Sequence, residues 1–286
     1  PDALQVCATR RPRLVFVVCF FAANPTRTGP TPPGVSSGDR TSPLAEVAAA
    51  IAARADLADR SRFDGFQAIN HAADHDTAVL VVAADTDVTE PMHVVHLSVP
   101  GDTPIASHPS TLIQVASGSR LTVIETYAGL GGRSLTNAAT GIDVGPGASV
   151  THYKVQSEAD ECVHVAHTNI HQAAGSDVRS SAFMLGADIA RNAVDVVLAG
   201  NDATLAVDGL YLPTGKQRHD NVVTIEHAAS ACTSRQLFKG VIDGHARGSF
   251  SGRIIVRPNT VANDADQTSR ILRLQPTAEA DTRPWP

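Results

Sequence analysis

Four groups of side chains in this sequence have the types and spacing to do chemistry. The densest is Cys162, His164, His167 and His171, one thiol and three imidazoles in a single short run. On a strand, alternate side chains face opposite ways, so Cys162 and His164 share a face that His167 does not. One ion cannot take all four, and the run reads as polar side chains on the outside of a coil, not a metal centre. His71, Asp74, His75 and Asp76 sit in a turn and read as structural. Asp195, Asp202, Asp208 and Asp220 invite comparison with the acid/base carboxylates of a polysaccharide-cleaving solenoid. Three of the four adjoin Gly or Asn, where Asp is favoured for turn geometry.

The fourth group is Cys232, Arg235, Lys239 and Asp243 in CTSRQLFKGVID. If the two cations also lie near the thiol in space, they favour its thiolate, which could hold sulfur or iron. A half-buried thiol acting as a small hydrophobe is the other reading, and the weightier one. The roles of these four residues stay unassigned. No GxSxG elbow is present, and Gly129-Leu130-Gly131-Gly132 lacks the Lys-Ser/Thr ending of a phosphate-cradling loop, so the chain does not itself hydrolyse ATP.

The elements that must position these residues are mostly strands. With 43% hydrophobic but only 4% aromatic residues, a core for the 286-residue chain has to come from Val, Ala, Leu and Ile. That favours stacked β layers. Residues 1–43 hold one strand candidate, Leu14–Phe21, followed by a Pro/Gly-rich stretch from Pro25 to Pro43. Arg10, Arg11 and Arg13 before the apolar run imitate a secretory signal, but the run suits an edge strand better and is too short to span a bilayer. Residues 44–72 form a short helical segment: Leu44, Val47, Ile51 and Ala55 fall at helical spacing, and Phe63, Phe66 and Ile69 continue as a second helix.

From residue 77 to 286 short β-rich runs follow one another without a convincing helix. Gly118, Gly147, Gly175 and Gly200 each precede a small or polar pair and then a strand, at intervals in the range of stacked repeats. Each unit turns at a glycine able to take positive φ and buries its inward side chains against the next unit. The expectation is a mainly β fold with a parallel solenoid core. Asp208-Gly209 and Asp243-Gly244, which could be hairpin turns, count against it.

The net charge of −6, with no basic stripe, argues against nucleic acid. Four cysteines, Cys7, Cys19, Cys162 and Cys232, with no CxxC pair, suit reduced thiols in a cytosolic setting.

One stretch is more specific than any of these patterns. His219–Arg257, with its DN…T.I.H….C.SRQL.KG..DG.ARG.F.G.I.V string, resembles the SufB/SufD family of the SUF iron–sulfur cluster assembly machinery. RLVFV, SPLAE, FQAIN, PMHVVHLS, GSRLTVIETYAG, HYKVQ, ARNAVDVVLAGNDATLAVDGLYL and AEADTRP follow in family order. The resemblance covers nearly the whole chain from Arg13, and CTSRQLFKG and HYKVQ are more similar to the SufD branch.

That resemblance implies a right-handed parallel β-helix core and a non-enzymatic scaffold that pairs with a SufB-like subunit through one end of the β-helix. Each scaffold subunit carries a SufC-like ATPase. It implies no cofactor held stably by this chain, a transient iron–sulfur cluster and reduced flavin at the level of the complex, and a cytoplasmic location. The family pattern continues beyond the counterpart of Pro286 into a histidine-bearing segment and a SufC-docking segment, so the chain reads as a C-terminally truncated core. Ala231 stands where the family often has His or Asn. The reading from a different class is a secreted β-solenoid enzyme acting on polysaccharide, and a homodimeric core is a third.

Overall fold

The computed structural model describes residues 15–19, 26–27, 31–39, 42–57, 64–73, 77–99 and 102–285. In chain order, β1 (Val15–Cys19), β2 (Thr26–Arg27) and β3 (Val35–Gly38) precede helices α1 (Ala45–Leu57) and α2 (Gly65–Ala72). Then come β4 (Thr77–Val82), β5 (Met92–Ser98), β6 (Ile105–Ser107), β7 (Ser110–Val115), β8 (Arg120–Gly129), β9 (Ser134–Val144), β10 (Ser149–Ser157) and β11 (Val163–Gln172). The chain continues through β12 (Asp177–Met184), β13 (Ile189–Leu198), β14 (Thr204–Tyr211), β15 (Arg218–His227), β16 (Thr233–Ile242), β17 (Arg247–Val256), β18 (Asp264–Arg273) and β19 (Glu279–Trp285).

These strands form two sheets. One is ordered β18-β16-β14-β12-β10-β8-β5-β1-β2, the other β19-β17-β15-β13-β11-β9-β7-β4-β3. From β8 onward, successive strands alternate between the sheets, and every pairing there is parallel to the strand two places along the chain. That is a parallel β-helix with two strands per coil, as expected from the repeats. Within the Pro/Gly-rich stretch Pro25–Pro43, β3 pairs antiparallel with β4, while β1 falls in the expected Leu14–Phe21 strand and extends the first sheet beside β5.

The interior is built of side-chain ladders. Ile113, Ile142, Ile170, Val196 and Ile225 are partners in successive rungs, and all are buried. Each contributes roughly 1.5–3 kcal/mol through apolar burial. The second ladder is at a corner, where left-handed residues recur at Asp85, Gly118, Gly147, Gly175, Asp202, Ala231 and Ala262. The amides stitch this corner coil to coil: Gly118 N donates to Pro146 O, Gly147 N to Ala174 O, Gly175 N to Asn201 O and Asp202 N to Ser230 O, at 2.8–3.1 Å. Three of the four expected turn glycines therefore take positive φ. Gly200 does not; Asp202 holds that conformation, and a side chain at 200 would overlap the Ala174 backbone.

The helices cover part of the outer face of the second sheet. In α1, Val47 and Ala50 pack on Val79 and Leu112, while Leu44, just before the helix, is exposed. α2 begins at Asp64, whose carboxylate caps Gln67 N while the Gln67 side chain accepts from Asp64 N. Phe66 and Ile69, which mark this second helix in the sequence, are exposed, and Phe63 lies outside the described residues. Asn70 seats it instead. Its Nδ2 donates to Pro109 O at 3.1 Å and Asn137 O at 2.7 Å, its Oδ1 accepts from Ser110 Oγ at 3.0 Å, and Asn137 Nδ2 donates to Phe66 O at 2.9 Å. Buried backbone carbonyls need donors, and here an amide supplies them. Among the described residues, no helix is long and apolar enough to cross a membrane.

Candidate functional site

The structure does not bring Cys232, Arg235, Lys239 and Asp243 together. Cys232 is fully buried in the core, its Sγ 3.3 Å from Gly200 O and 3.5 Å from Ser230 O, and its amide donates to Asn263 Oδ1 at 2.9 Å. Arg235 and Lys239 lie on the opposite face of β16. Arg235 Nη2 reaches Asp264 Oδ2 at 2.5 Å, and Lys239 faces Asp208 from the neighbouring rung. Asp243 is at the far end of the strand, where its Oδ1 accepts from Gly244 N at 2.8 Å. Strand alternation separates thiol from cations, so the premise of a cation-activated thiolate fails.

The other sequence candidates are dispersed too. The run does not lie on the outside of a coil as a whole: Cys162 and His164 are buried inside, while His167 and His171 point outward, because side chains alternate along β11. His167 Nε2 pairs with Asp195 Oδ2 at 2.9 Å and His171 Nδ1 with Asp143 Oδ1 at 3.3 Å. Asp202 occupies the corner, Asp208 is on the first sheet, and Asp195 and Asp220 are on the second, so these four carboxylates do not converge for acid/base chemistry. His71 ends α2, whereas Asp74–Asp76 lie outside the described residues. Among the described residues, no three His, Cys, Asp or Glu side chains are grouped to hold a metal ion.

What sequence reasoning missed is a charged chamber inside the β-helix. In β10 the binary pattern is inverted: His152, Lys154 and Gln156 point inward, while Tyr153 and Val155 point outward. From β8, Glu125 and Tyr127 join them. Glu125 accepts from Thr140 Oγ1 at 2.9 and 3.1 Å, from His152 Nε2 at 3.0 Å and from Tyr127 Oη at 3.3 Å, with His96 Nε2 at 3.6 Å. Glu158 lies 2.7 Å from His164 Nδ1 and accepts from Thr136 Oγ1 at 2.5 Å and Gln156 Nε2 at 3.2 Å. Lys154 Nζ, also buried, lies 5.8 Å from the centre of the Tyr127 ring and donates to Asn192 Oδ1 at 3.0 Å. Tyr127 stacks on His96 with ring centres 4.6 Å apart.

The electrostatics follow from burial and partners. Burial alone would raise Glu125, but the hydrogen bonds and charges of His152 and His96 overcome it and hold the carboxyl well below its usual range. Glu158 is lowered in the same way, with His164 as the main opposing partner. Burial pulls Lys154 down to about 8, against the two carboxylates that hold it up. Burial also raises Tyr127 well above the ordinary phenol value, with Glu125 adding to the effect.

Toward the C-terminal coils the interior becomes aromatic. Phe238 and Phe250 stack with ring centres 4.5 Å apart, and Tyr211 is fully buried among the same rungs. Gly209, Gly240 and Gly248 make room: a Cβ at the first would overlap Phe238, and at the other two it would overlap Tyr211.

Two outer surfaces remain. On the second sheet beside α2, a groove of about 540 Å³ is bordered by His71, Asp143, His171, Asp195, Glu226 and Arg253. At the C-terminal end, β18 and β19 are the outermost strands of their sheets, each paired on one side. Val256, Val261, Leu272, Leu274 and Trp285 are exposed around that end.

Comparison with known proteins agrees with this architecture. The family described as SUF system FeS cluster assembly, SufBD core domain, matches residues 98–285. An iron–sulfur cluster assembly SufBD family protein of Synechocystis is 27% identical over 95% of this chain and 62% of its own length. The iron–sulfur cluster assembly protein SufD of Escherichia coli is 29% identical over 68% of this chain and 47% of its own length. A SufBD family protein of Mycobacterium bovis is 26% identical over 79% of this chain and 56% of its own length. The chain thus spans about half to three fifths of the curated relatives it matches. With the core-domain match running through the coils that carry the charged chamber and the aromatic plug, the chain belongs to the SufBD core-domain family of the SUF iron–sulfur cluster assembly system.

Proposed function

We propose that the chain is a SufD-type scaffold subunit of a SufBCD-type assembly complex, pairing with a SufB-like subunit through the C-terminal end of its β-helix. The observation that carries this reading is the core-domain match over residues 98–285, together with the likeness to the Escherichia coli SufD protein. β18 and β19 lie at the C-terminal end of the two sheets, with Val261, Leu272, Leu274 and Trp285 around them. Strand edges bordered by apolar side chains pair readily with another chain. In this reading the ATPase resides in a SufC-like partner, the complex works in the cytoplasm, and iron and sulfide are cargo handled by the complex. The chain itself is a scaffold and carries no catalytic residue.

Co-expression with the SufB-like and SufC-like proteins of the same genome tests it, with the mass of the complex, bound iron, sulfide and ATPase activity as readouts. A heterodimer with the SufB-like subunit is expected. The proposal fails if those two proteins associate with each other while this chain elutes alone.

A further inference from the structure

We infer that the outer face of the first sheet is a docking surface for an acidic amphipathic helix of a partner protein, seated on Val155, Phe183 and Leu210 and anchored by Lys239 and Arg270. On a solvated sheet face the outward positions are ordinarily polar, as Thr122 of β8 and Thr151 of β10 are. Farther along the same strands this rule is broken. Val155, Phe183 and Leu210 are partners in successive rungs of β10, β12 and β14, and all three are outward and half-buried. Leu185 and Leu212, just past the ends of β12 and β14, widen the apolar strip. Leu185 N donates to Gln156 O at 2.9 Å and Leu212 N to Met184 O at 3.1 Å, so the pairing carries on beyond both strands, and Leu185 is 43% exposed. Contiguous apolar surface of this kind marks a contact surface, whereas single exposed apolar side chains do not. Helices α1 and α2 pack on the second sheet and leave this face uncovered.

The strip ends in charge. In the next two rungs Leu210 is followed by Lys239 and then by Arg270, direct partners in β16 and β18 and both exposed. Like charges placed directly opposite one another on a sheet repel. Asp208, the carboxylate beside Lys239, also faces Arg179, and Arg270 makes no hydrogen bond or ion pair among the described residues. In a chain of net charge −6, this end of the strip therefore carries excess positive charge. The occupant that complements it has an apolar stripe with carboxylates at one end.

A helix suits the face better than a strand, because the face of a sheet offers no backbone groups to pair with and a helix satisfies its own. Adjacent rungs lie about 4.8 Å apart, so the column from Val155 to Arg270 is about 19 Å long. About 13 residues of helix span that length. A second copy of this chain does not complement the face. Laid face to face, its Lys239 and Arg270 meet either the same two cations or the apolar end of the strip, and neither supplies a carboxylate.

Two synthetic helical peptides test this, built on the same leucine stripe and carrying either two glutamates or two lysines at one end. Fluorescence anisotropy at low salt should show the glutamate peptide binding the chain roughly tenfold more tightly than the lysine peptide, or better. Lys239→Glu with Arg270→Glu alters exposed side chains, so circular dichroism and Tm should hold while the preference between the peptides reverses. Phe183→Ser with Leu210→Ser should weaken the binding of both. Equal binding of the two peptides, no binding of either, or a preference that the double charge reversal leaves unaltered overturns the proposal. So does a concentration-dependent dimer in sedimentation that Leu210→Arg abolishes, since the face would then hold a second copy.

Discussion

The ring of Phe238 occupies the space that a side chain at position 209 would fill, because the two residues are partners in adjacent rungs and both face the interior. Gly209 sits in mid-strand, so Asp208-Gly209 is not a turn at all. Gly209→Ala should cost roughly 1–3 kcal/mol through overpacking, read as a lowered denaturation midpoint with an unchanged slope. An unaltered midpoint would mean that the ring moves aside freely.

Ala231 tests the corner ladder. It has φ 59° and is exposed, so it bears the cost of a left-handed backbone without packing its methyl group. Ala231→Gly should stabilise the chain by about 1 kcal/mol, since the relief of strain outweighs the added freedom of the unfolded chain. Thermal unfolding would show it as a raised Tm; a lowered Tm would contradict the corner geometry.

Ile225 tests the interior register. It is fully buried in the isoleucine ladder, and Ile225→Ala should cost roughly 2–5 kcal/mol. A near-zero loss in urea titration would place the other face of β15 inward.

The acid limb of stability should begin with His219. Burial lowers it to about 4, and its Nε2 meets Gly186 O at 3.1 Å. Between that value and the ordinary 6.5, the unfolded chain binds a proton that the folded chain does not, so stability falls as pH drops through this window. Glu125 and Glu158, lowered in the fold, add a loss in the same direction as pH falls through the carboxylate range. His219→Gln should flatten the first part of the Tm–pH curve and leave the second. Lys154, lowered to about 8 from 10.5, acts at the alkaline end, where its contribution to stability rises with pH between those values.

Cys232→Ser should shift stability by less than about 1.5 kcal/mol, because the hydroxyl inherits the Gly200 and Ser230 carbonyls as acceptors. With the thiol in the core and away from Arg235 and Lys239, the iron and sulfide bound by the co-expressed complex should not change. Loss of either at unchanged stability would show that Cys232 handles cargo.

The sequence reveals the coils because apolar alternation and recurring left-handed corners leave regular marks. Gly118, Gly147 and Gly175 announce that corner. Asp202 and Ala231 do not, since only the stacked neighbours force positive φ on them. The run Ser134–Thr140 joins β9 although, Leu135 apart, its residues are small or polar, because inward Thr136 and Thr140 bond to the buried carboxylates. The chamber escapes notice for the same reason: charged residues at inward positions look like a solvated face until the partner strand is known. His152, Lys154 and Gln156 could have been flagged by the inverted alternation with Tyr153 and Val155.

The most direct test of the scaffold reading is to place charge at the C-terminal end of the β-helix. Leu272→Arg with Leu274→Arg alters two exposed side chains beside the terminal strands, so folding and Tm should be unchanged. Co-purification with the SufB-like subunit should then be lost, while the same change on the outer face, Thr122→Arg, leaves it intact. If the Leu272/Leu274 variant still binds as the unaltered chain does, the C-terminal end of the β-helix is not the docking surface and the central claim fails.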